Sequence, residues 1–519
     1  MADIKNFVIP DIPASKFRLV QKDADIHDVK FETKPVGFFK DAWRRFCKNK
    51  SSVVAAIIIA CLLLFAFIGP FITKYEMSEA NGTYAKCRPI NRALNINGFW
   101  DGGYNKKLND KYLIYIMGIG MGAEDTEGEG CQWSDGIESQ YGAIISIGDE
   151  YSAEGNTYRD ARVDSYMEMG FQYLSLTEDQ YNDIKAWEAE SGIRAIYPMI
   201  NIYGEWCDEY NRDDANYWYR HNAKQWPVNE KGKKMEVADV MENGLIDNYL
   251  RDGDGSIMDY MQRDSNMRTV RVLYYNYYQY LNGHTPEFLL GADPNGYDIL
   301  VRIASGLRLS FLLSIAVSLV NFLVGTIYGA IEGYYGGAVD LIGERISDII
   351  SGIPFIVSCV LVKLHMVNTG KMSAFGGLVF AYFLTGWIGQ AYLVRTQFYR
   401  FKNQEYILAA RTLGAKDGRL MFKHILPNAL GTIVTACALD IPSVILSEST
   451  LSFLGIYNFN SRTLTSLGTM LGDGQGYLST YPHIILFPAL AISLLMISFN
   501  LFGNGLRDAF NPTLRGGED

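Results

Sequence analysis

Asn403-Gln-Glu-Tyr-Ile-Leu-Ala-Ala-Arg-Thr-Leu-Gly414-Ala-Lys-Asp-Gly-Arg-Leu-Met-Phe-Lys-His-Ile-Leu-Pro-Asn428 is a polar, basic, helix-prone island between two long apolar runs. From Asn403 to Leu413 helix formers prevail, and Tyr406, Ala409/Ala410 and Leu413 recur at i, i+3/i+4, i+7, which predicts a short helix with one small apolar face. Gly414 can adopt the left-handed conformation that stops a helix. Asp417 suits the N-cap of a second short helix carrying Leu420, Met421 and His424, and Pro427 suits the first turn of the apolar helix behind it. Two short helices bent at a glycine make a knob. The same periodicity also describes an amphipathic loop lying on a membrane surface.

Outward from this island the chain is apolar. Residues 53–72 carry no charge and are long enough to cross a hydrocarbon core of roughly 30 Å. Further apolar runs at about 307–330, 349–367, 375–394, 430–451 and 484–502 predict an all-α membrane protein of six transmembrane helices. Loop charge gives the orientation. The 395–427 loop carries Arg395, Arg400, Lys402, Arg411, Lys416, Arg419 and Lys423, and the tail carries Arg507 and Arg515, whereas 368–374 and 452–483 hold only Lys371 and Arg462. The positive-inside rule then places both termini and the 403–428 knob in the cytoplasm. Residues 1–52 read as a cytoplasmic tail over 1–36, without the apolar core of a signal peptide, ending in a basic amphipathic segment over 38–50 along the inner membrane surface. Residues 512–519 read as a second cytoplasmic tail.

One block breaks this pattern. Over 76–287 there are 36 acidic and 20 basic residues, while the remainder of the chain has 21 acidic and 27 basic. Residues 73–290 are too polar to span, and by parity they form an inserted extracytoplasmic α+β domain. Within it 111–119 and 195–203 read as strands, with Pro198 confining the latter to an edge. Thr177 and Gln180 fit a capping box, with Tyr181, Ile184 and Trp187 on one helical face and Gly192 as the stop. The run 269–281, dense in Val and Tyr, reads as a strand that is either half core or a stacking surface. Of the seven cysteines, Cys87, Cys131 and Cys207 fall in this block, so at most one disulfide can form there within a chain.

Several functions are excluded or unsupported by pattern. The net charge of −10 argues against nucleic acid as a partner. No G-x-x-x-x-G-K-[ST] occurs, so this chain should not hydrolyse ATP, and the scattered histidines and cysteines show no metal-ligand spacing and no catalytic constellation. Asp252-Gly-Asp-Gly-Ser256 lacks the later glycine and glutamate of a calcium loop and reads as an acidic turn. Asp440 and Glu448 lie in or at the end of the 430–451 span, where an ionisable group is costly unless it faces protein or water. They are candidates for lining a pathway, or for tying helices together. Pro354 and Pro442 can kink their helices.

The order Ala409-Ala410, Gly414, Ile425-Leu426-Pro427 resembles the loop by which permease subunits of ATP-driven importers dock into their ATPase. Leu408 stands where many members carry Glu, and the nearby acid is Glu405. The resemblance extends to Gly291-Ala-Asp-Pro-Asn-Gly-Tyr-Asp298, Gly333-Tyr-Tyr-Gly-Gly337, Arg345-Ile-Ser-Asp348, Ser449-Thr-Leu-Ser-Phe-Leu-Gly455 and Asn500-Leu-Phe-Gly-Asn-Gly-Leu-Arg-Asp508. Over about 38–75 and 286–515 the chain resembles C-type permeases of the oligopeptide/dipeptide/nickel importer family, with Tyr297 where many members have Arg. That resemblance implies a type I ABC importer permease fold and half of a heterodimeric pathway for oligopeptides in the plasma or inner membrane. It implies as partners a second permease subunit, two cytoplasmic ATPase subunits and an extracytoplasmic peptide-binding protein. No cofactor is expected on this chain, since ATP and magnesium belong to the ATPases. The coupling residues it implies are Glu405, Ala409, Ala410, Arg411, Gly414, Ala415, Lys416, Asp417, His424 and Pro427. Import of nickel or another small solute, or a membrane-anchored receptor acting through its external domain, are the alternatives.

Overall fold

The apolar runs become helices that bury only part of their circumference, except that the predicted span 349–367 is broken at 352–354 by Pro354, and broad apolar faces are left on the outside of the molecule. The computed structural model describes residues 38–93, 98–153, 155–264, 266–459 and 461–510. Residues 1–37 and 511–519, and with them the predicted tails 1–36 and 512–519, lie outside them. Helix α1 (Phe38–Lys48) is amphipathic, as its sequence requires, and buries Ala42 and Phe46 against Ala509 near the C-terminal end of the described chain. Asn49 then caps α2 (Lys50–Ile72) by accepting the Ser52 N–H.

Between α2 and the next membrane helix lies a folded α+β insertion. Strand β1 (Gly103–Asn109) leads into α3 (Asp110–Glu124), whose start is capped by Asn109. The strand predicted over 111–119 is therefore helix. Nearly every residue from Leu113 to Ala123 is buried, so the segment has no polar face and no helical period to read. Strands β2 (Ile144–Ala153) and β3 (Asn156–Asp164) complete a three-stranded antiparallel sheet in the order β1-β3-β2. A second sheet starts with β4 (Phe171–Thr177). Thr177 and Gln180 form the anticipated capping box of α4 (Glu178–Ser191), and Gly192 closes it. Strand β5 is only Ile196–Tyr197, shorter than the predicted 195–203, and Pro198 follows it immediately. Strands β6 (Tyr260–Asp264) and β7 (Met267–Leu273) form a hairpin, and β7 pairs with β4 on its other side. The predicted strand over 269–281 stops at Leu273. Residues Tyr274–Asn282 form helix α5, with Tyr275 and Tyr278 buried at i, i+3 and Tyr277 stacked on Tyr280. All seven cysteines are free thiols.

The insertion is not tethered by a loose linker. At its neck the Tyr75 hydroxyl donates to the Glu287 carbonyl at 2.7 Å and accepts the Glu287 N–H at 2.8 Å. Asn81 N–H bonds the Gly296 carbonyl at 3.2 Å, Lys86 N–H the Asp293 carbonyl at 3.1 Å, and Ala292 N–H the Cys87 carbonyl at 3.0 Å. Lys86 Nζ sits 4.4 Å from the Tyr477 ring centre, and Arg88 donates to the Thr480 carbonyl. One apolar cluster runs from Tyr84 and Cys87 in this seat through Met117 and Trp218 to Phe288 and Ala292.

The membrane portion follows. Asp298 caps α6 (Ile299–Tyr335), whose 37 residues make a rod of about 55 Å. Helix α7 (Gly337–Ser351) and α8 (Phe355–Val362, continuing as a wide turn to Val367) meet at a bend of 70°, with Pro354 at the start of α8. After them come α9 (Ala374–Thr385), α10 (Ile388–Phe401), the short α11 (Glu405–Thr412), α12 (Leu426–Phe453), α13 (Leu467–Gly474) and α14 (His483–Phe510). Among the described residues five helical stretches are long and apolar enough to cross a membrane, and the bent α7–α8 pair passes the same test as one unit. The core of the bundle is the contact of α6 with α10. Gly325, Gly329 and Gly333 of α6 lie directly against the backbone of Trp387, Ala391 and Arg395, and a Cβ on Gly329 would come within 2.1 Å of the Ala391 carbonyl oxygen. Small residues spaced by four are what allow membrane helices to approach this closely.

Candidate functional site

The 403–428 segment is a knob, as its sequence predicts, but it packs by a different face. Helix α11 is eight residues long, with Glu405 in its first turn and Arg411 in its last, each favourable to the helix dipole. Gly414 follows at φ +85° and turns the chain. The second arm is one turn of helix, Asp417–Arg419, which widens into a π-turn over Leu420–Ile425 and runs directly into α12. Ile407, Leu420, Met421 and Ile425 are buried against Ala330, Tyr334, Val394 and Phe398, with Ala410 and Ala415 packed at the edge. The predicted apolar face of Tyr406, Ala409 and Leu413 points outward instead. Leu413 is 89% exposed, and Tyr406, Leu408, Ala409 and Phe422 are exposed with it. An eight-residue helix can bury one side chain deeply, and Ile407 takes that place.

Two hydroxyl contacts hold the knob to the end of α6. The Tyr334 hydroxyl donates to Asp417 Oδ1 at 2.6 Å, and Arg411 Nη2 donates to the same hydroxyl at 3.3 Å. Asp417 is thus not the N-cap, a position Lys416 occupies; its carboxylate is engaged by Tyr334. Ala415 N–H bonds the Ala410 carbonyl at 3.1 Å and closes the bend. His424 is half-buried, and its carbonyl accepts Asn428 Nδ2 at 2.7 Å. Asn428 Nδ2 also reaches the Tyr406 hydroxyl at 3.2 Å, and Pro427 occupies the first turn of α12. Glu405, Lys416 and Pro427 are exposed. The ten coupling candidates therefore share one protrusion. Tyr334, some seventy positions earlier in the chain, could not be found from local sequence.

Asp440 and Glu448 both face α6 but do not meet each other. Glu448 is fully buried, accepting Ser452 Oγ at 2.8 Å, Ser310 Oγ at 3.3 Å and Ser449 Oγ at 3.5 Å. Asp440 accepts Asn321 Nδ2 at 2.9 Å. The arrangement joins α12 to α6 at two levels. At the N-terminal end of α6, Arg302 donates to the Ser461 carbonyl at 2.8 Å and lies 3.7 Å from Asp293, so the same helix also carries the seat of the insertion. Asp252 Oδ1 accepts the Asp254 and Ser256 N–H groups, the geometry of an acidic turn.

Comparison with known proteins gives this architecture a lineage. Residues 322–516 match the family model of the binding-protein-dependent transport system inner membrane component, and 37–89 match the N-terminal TM domain of oligopeptide transport permease C. Most of the insertion, from residue 90 on, falls between the two matches, and its first residues lie within the N-terminal one. The oligopeptide transport system permease protein OppC of Bacillus subtilis is 42% identical over 238 residues, 45% of this chain and 76% of that protein. The dipeptide transport system permease protein DppC of the same organism is 40% identical over 226 residues, 43% of this chain and 68% of that protein. Among solved structures, the inward facing MetNI methionine ABC transporter matches 40% of this chain and 96% of that chain at 17% identity, with a TM-score of 0.34. With the knob, the α6-centred bundle and these relatives together, the chain belongs to the binding-protein-dependent transport permeases and is a multi-pass membrane permease subunit of the OppC/DppC group of ABC importers.

Proposed function

We propose that this chain forms one half of a transmembrane pathway for oligopeptides, completed by a second permease subunit and driven by two separate ATPase subunits. The bent α7–α8 pair counts as one span, giving six, with both termini and the knob in the cytoplasm and the insertion outside. An extracytoplasmic peptide-binding protein delivers the substrate. ATP and magnesium reside on the ATPase subunits, whose closure moves the knob; this chain supplies no phosphate loop.

The observation that carries the reading is the identity to the peptide-transport permeases, and the knob gives it a mechanism. Leu413 at the tip is 89% exposed, while the base of the knob is bolted to α6 through Tyr334. A protrusion that is apolar outside and rigid at its root suits a socket in a partner and transmits displacement into the bundle. Glu448, sealed among serines, ties α12 to α6 and does not meet substrate. Asp440 acts through Asn321.

The test is Leu413→Asp in the assembled complex. Replacing a buried leucine by a charge in the socket removes about 2–3 kcal/mol of docking energy. ATPase copurification and peptide uptake are expected to fall at least about tenfold with the chain still inserted in the membrane. Undiminished uptake would refute the docking role.

A further inference from the structure

The insertion carries an aromatic pair at the level where the membrane helices end. A Cβ on Gly69, near the end of α2, would lie 3.4 Å from the Cβ of Ala304 in the first turns of α6, so α2 stops where α6 starts. Leu290 packs at that end of the bundle, against the cluster that holds Ala66 of α2, Ile299 and Ile303 of α6 and Ile484 of α14. The residue before it, Leu289, is 38% exposed, and its carbonyl accepts the Trp100 Nε1–H at 3.0 Å. Trp100 therefore stands beside the helix ends although it belongs to the insertion. Phe99 is 53% exposed, and its ring meets that of Trp100 edge to face at 4.9 Å between centroids.

The backbone behind the pair is fixed. Asn91 N–H bonds the Trp100 carbonyl at 2.9 Å, Gly102 N–H bonds the Pro89 carbonyl at 3.0 Å, and the buried Ile90 gives its N–H to the Phe288 carbonyl at 3.0 Å. Both rings are thus held out from the seat by paired main chain. The indole N–H is the one polar group of the two side chains, and Leu289 takes it, so what the pair presents is hydrocarbon. Protein–protein contacts carry hydrogen bonds throughout, and these rings have none to give. Aromatic and aliphatic side chains at this height are the anchors of membrane–water boundaries, where apolar ring edges meet the acyl chains. The apolar surface is of the same kind as the end of α2, where Phe71 is 85% and Ile72 76% exposed.

We propose that Phe99 and Trp100 rest on the lipid bilayer at the surface where α2 ends, and give the insertion a second support beside its seat on α6 and the Tyr477–Thr480 segment. Phe99 enters the boundary between headgroups and acyl chains. Trp100, tied to Leu289, holds Phe99 in place. One support in protein and one in lipid fix the tilt of the domain against the membrane plane.

The experiment uses the full chain with its partner subunits, reconstituted in nanodiscs of phosphatidylcholine with or without bromine on the acyl chains. Phe99→Trp adds a fluorophore at an exposed position, and Phe71→Trp, at the end of α2, gives the reference for a ring facing lipid. Each emission is read as the difference from the unsubstituted complex, which cancels the eight native tryptophans of the chain and those of its partners. Brominated lipid is expected to quench the added Phe99→Trp emission to within about twofold of the Phe71→Trp loss. Added emission that brominated lipid leaves unquenched would overturn the proposal. A red-shifted maximum would then show that position 99 faces water, and a blue-shifted one that a partner subunit covers it.

Discussion

Gly296 is packed so closely that a Cβ on it would lie 1.9 Å from the Asn81 carbonyl oxygen, and its φ is +83°. Steric contact and backbone conformation both demand glycine, because the 81–88 segment crosses the 291–298 turn backbone to backbone. Gly296→Ala is expected to destabilise this seat by about 1–3 kcal/mol. Limited proteolysis should then cut near residues 79–90 faster, and an unchanged rate would contradict the account. The glycine was legible as part of a motif; its contact with Asn81, over two hundred positions away, was not. Asp164 offers a residue-scale test of the insertion. Its buried carboxyl is pushed up to about 6 by desolvation, only partly offset by the Tyr166 N–H, the nearby Arg92 and the Met167 N–H. The folded state therefore holds its proton at pH values where the unfolded chain has lost it. Stability should fall as pH rises from about 4 to about 6 and then level off. Asp164→Asn keeps the acceptor for the Tyr166 and Met167 N–H groups and should remove that component of the slope in thermal unfolding of the detergent-solubilised chain.

Helix α6 links the sites that matter. Its N-terminal end is fixed to the insertion's seat through Asp298 and Arg302, its middle to α10 through three glycines and to α12 through Asn321 and Ser310, and its C-terminal end to the knob through Tyr334. Tyr334→Phe removes the donor to Asp417 and the acceptor for Arg411, a loss of about 1–3 kcal/mol since both partners are charged. Hydrogen exchange of 405–425 amides is expected to quicken several-fold while the 307–330 amides stay protected; identical exchange would show that the clamp does not hold the knob. Elements with an unambiguous period or cap were legible in sequence: the uncharged runs, the Thr177 capping box, the glycine bend. Helix α3 was not, because burial on every side erases periodicity, and the tyrosine run was misread because β-propensity favoured strand where i, i+3 burial settles on helix. The knob's position was legible but not its buried face, which Ile407 decides through contacts with α6 and α10.

Taken whole, the molecule is a permease bundle with an acidic α+β domain set into its first connection, between α2 and α6. Shared core residues and paired backbone make the seat rigid, so the domain and the N-terminal end of α6 should move together. The charge partition visible in sequence, acidic in 76–287 and basic elsewhere, follows this division between a water-facing domain and a bundle with basic loops. The faces the bundle leaves exposed are apolar but unspecific, which is why sequence alone names a lineage more sharply than a cargo. The most direct test of peptide import is uptake of a radiolabelled tripeptide into cells lacking this chain, with and without its restoration, and with ATP depleted. Uptake should require both the chain and ATP, and should be lost again with Leu413→Asp. Peptide uptake that proceeds equally without the chain, or restoration of metal uptake alone, would contradict it.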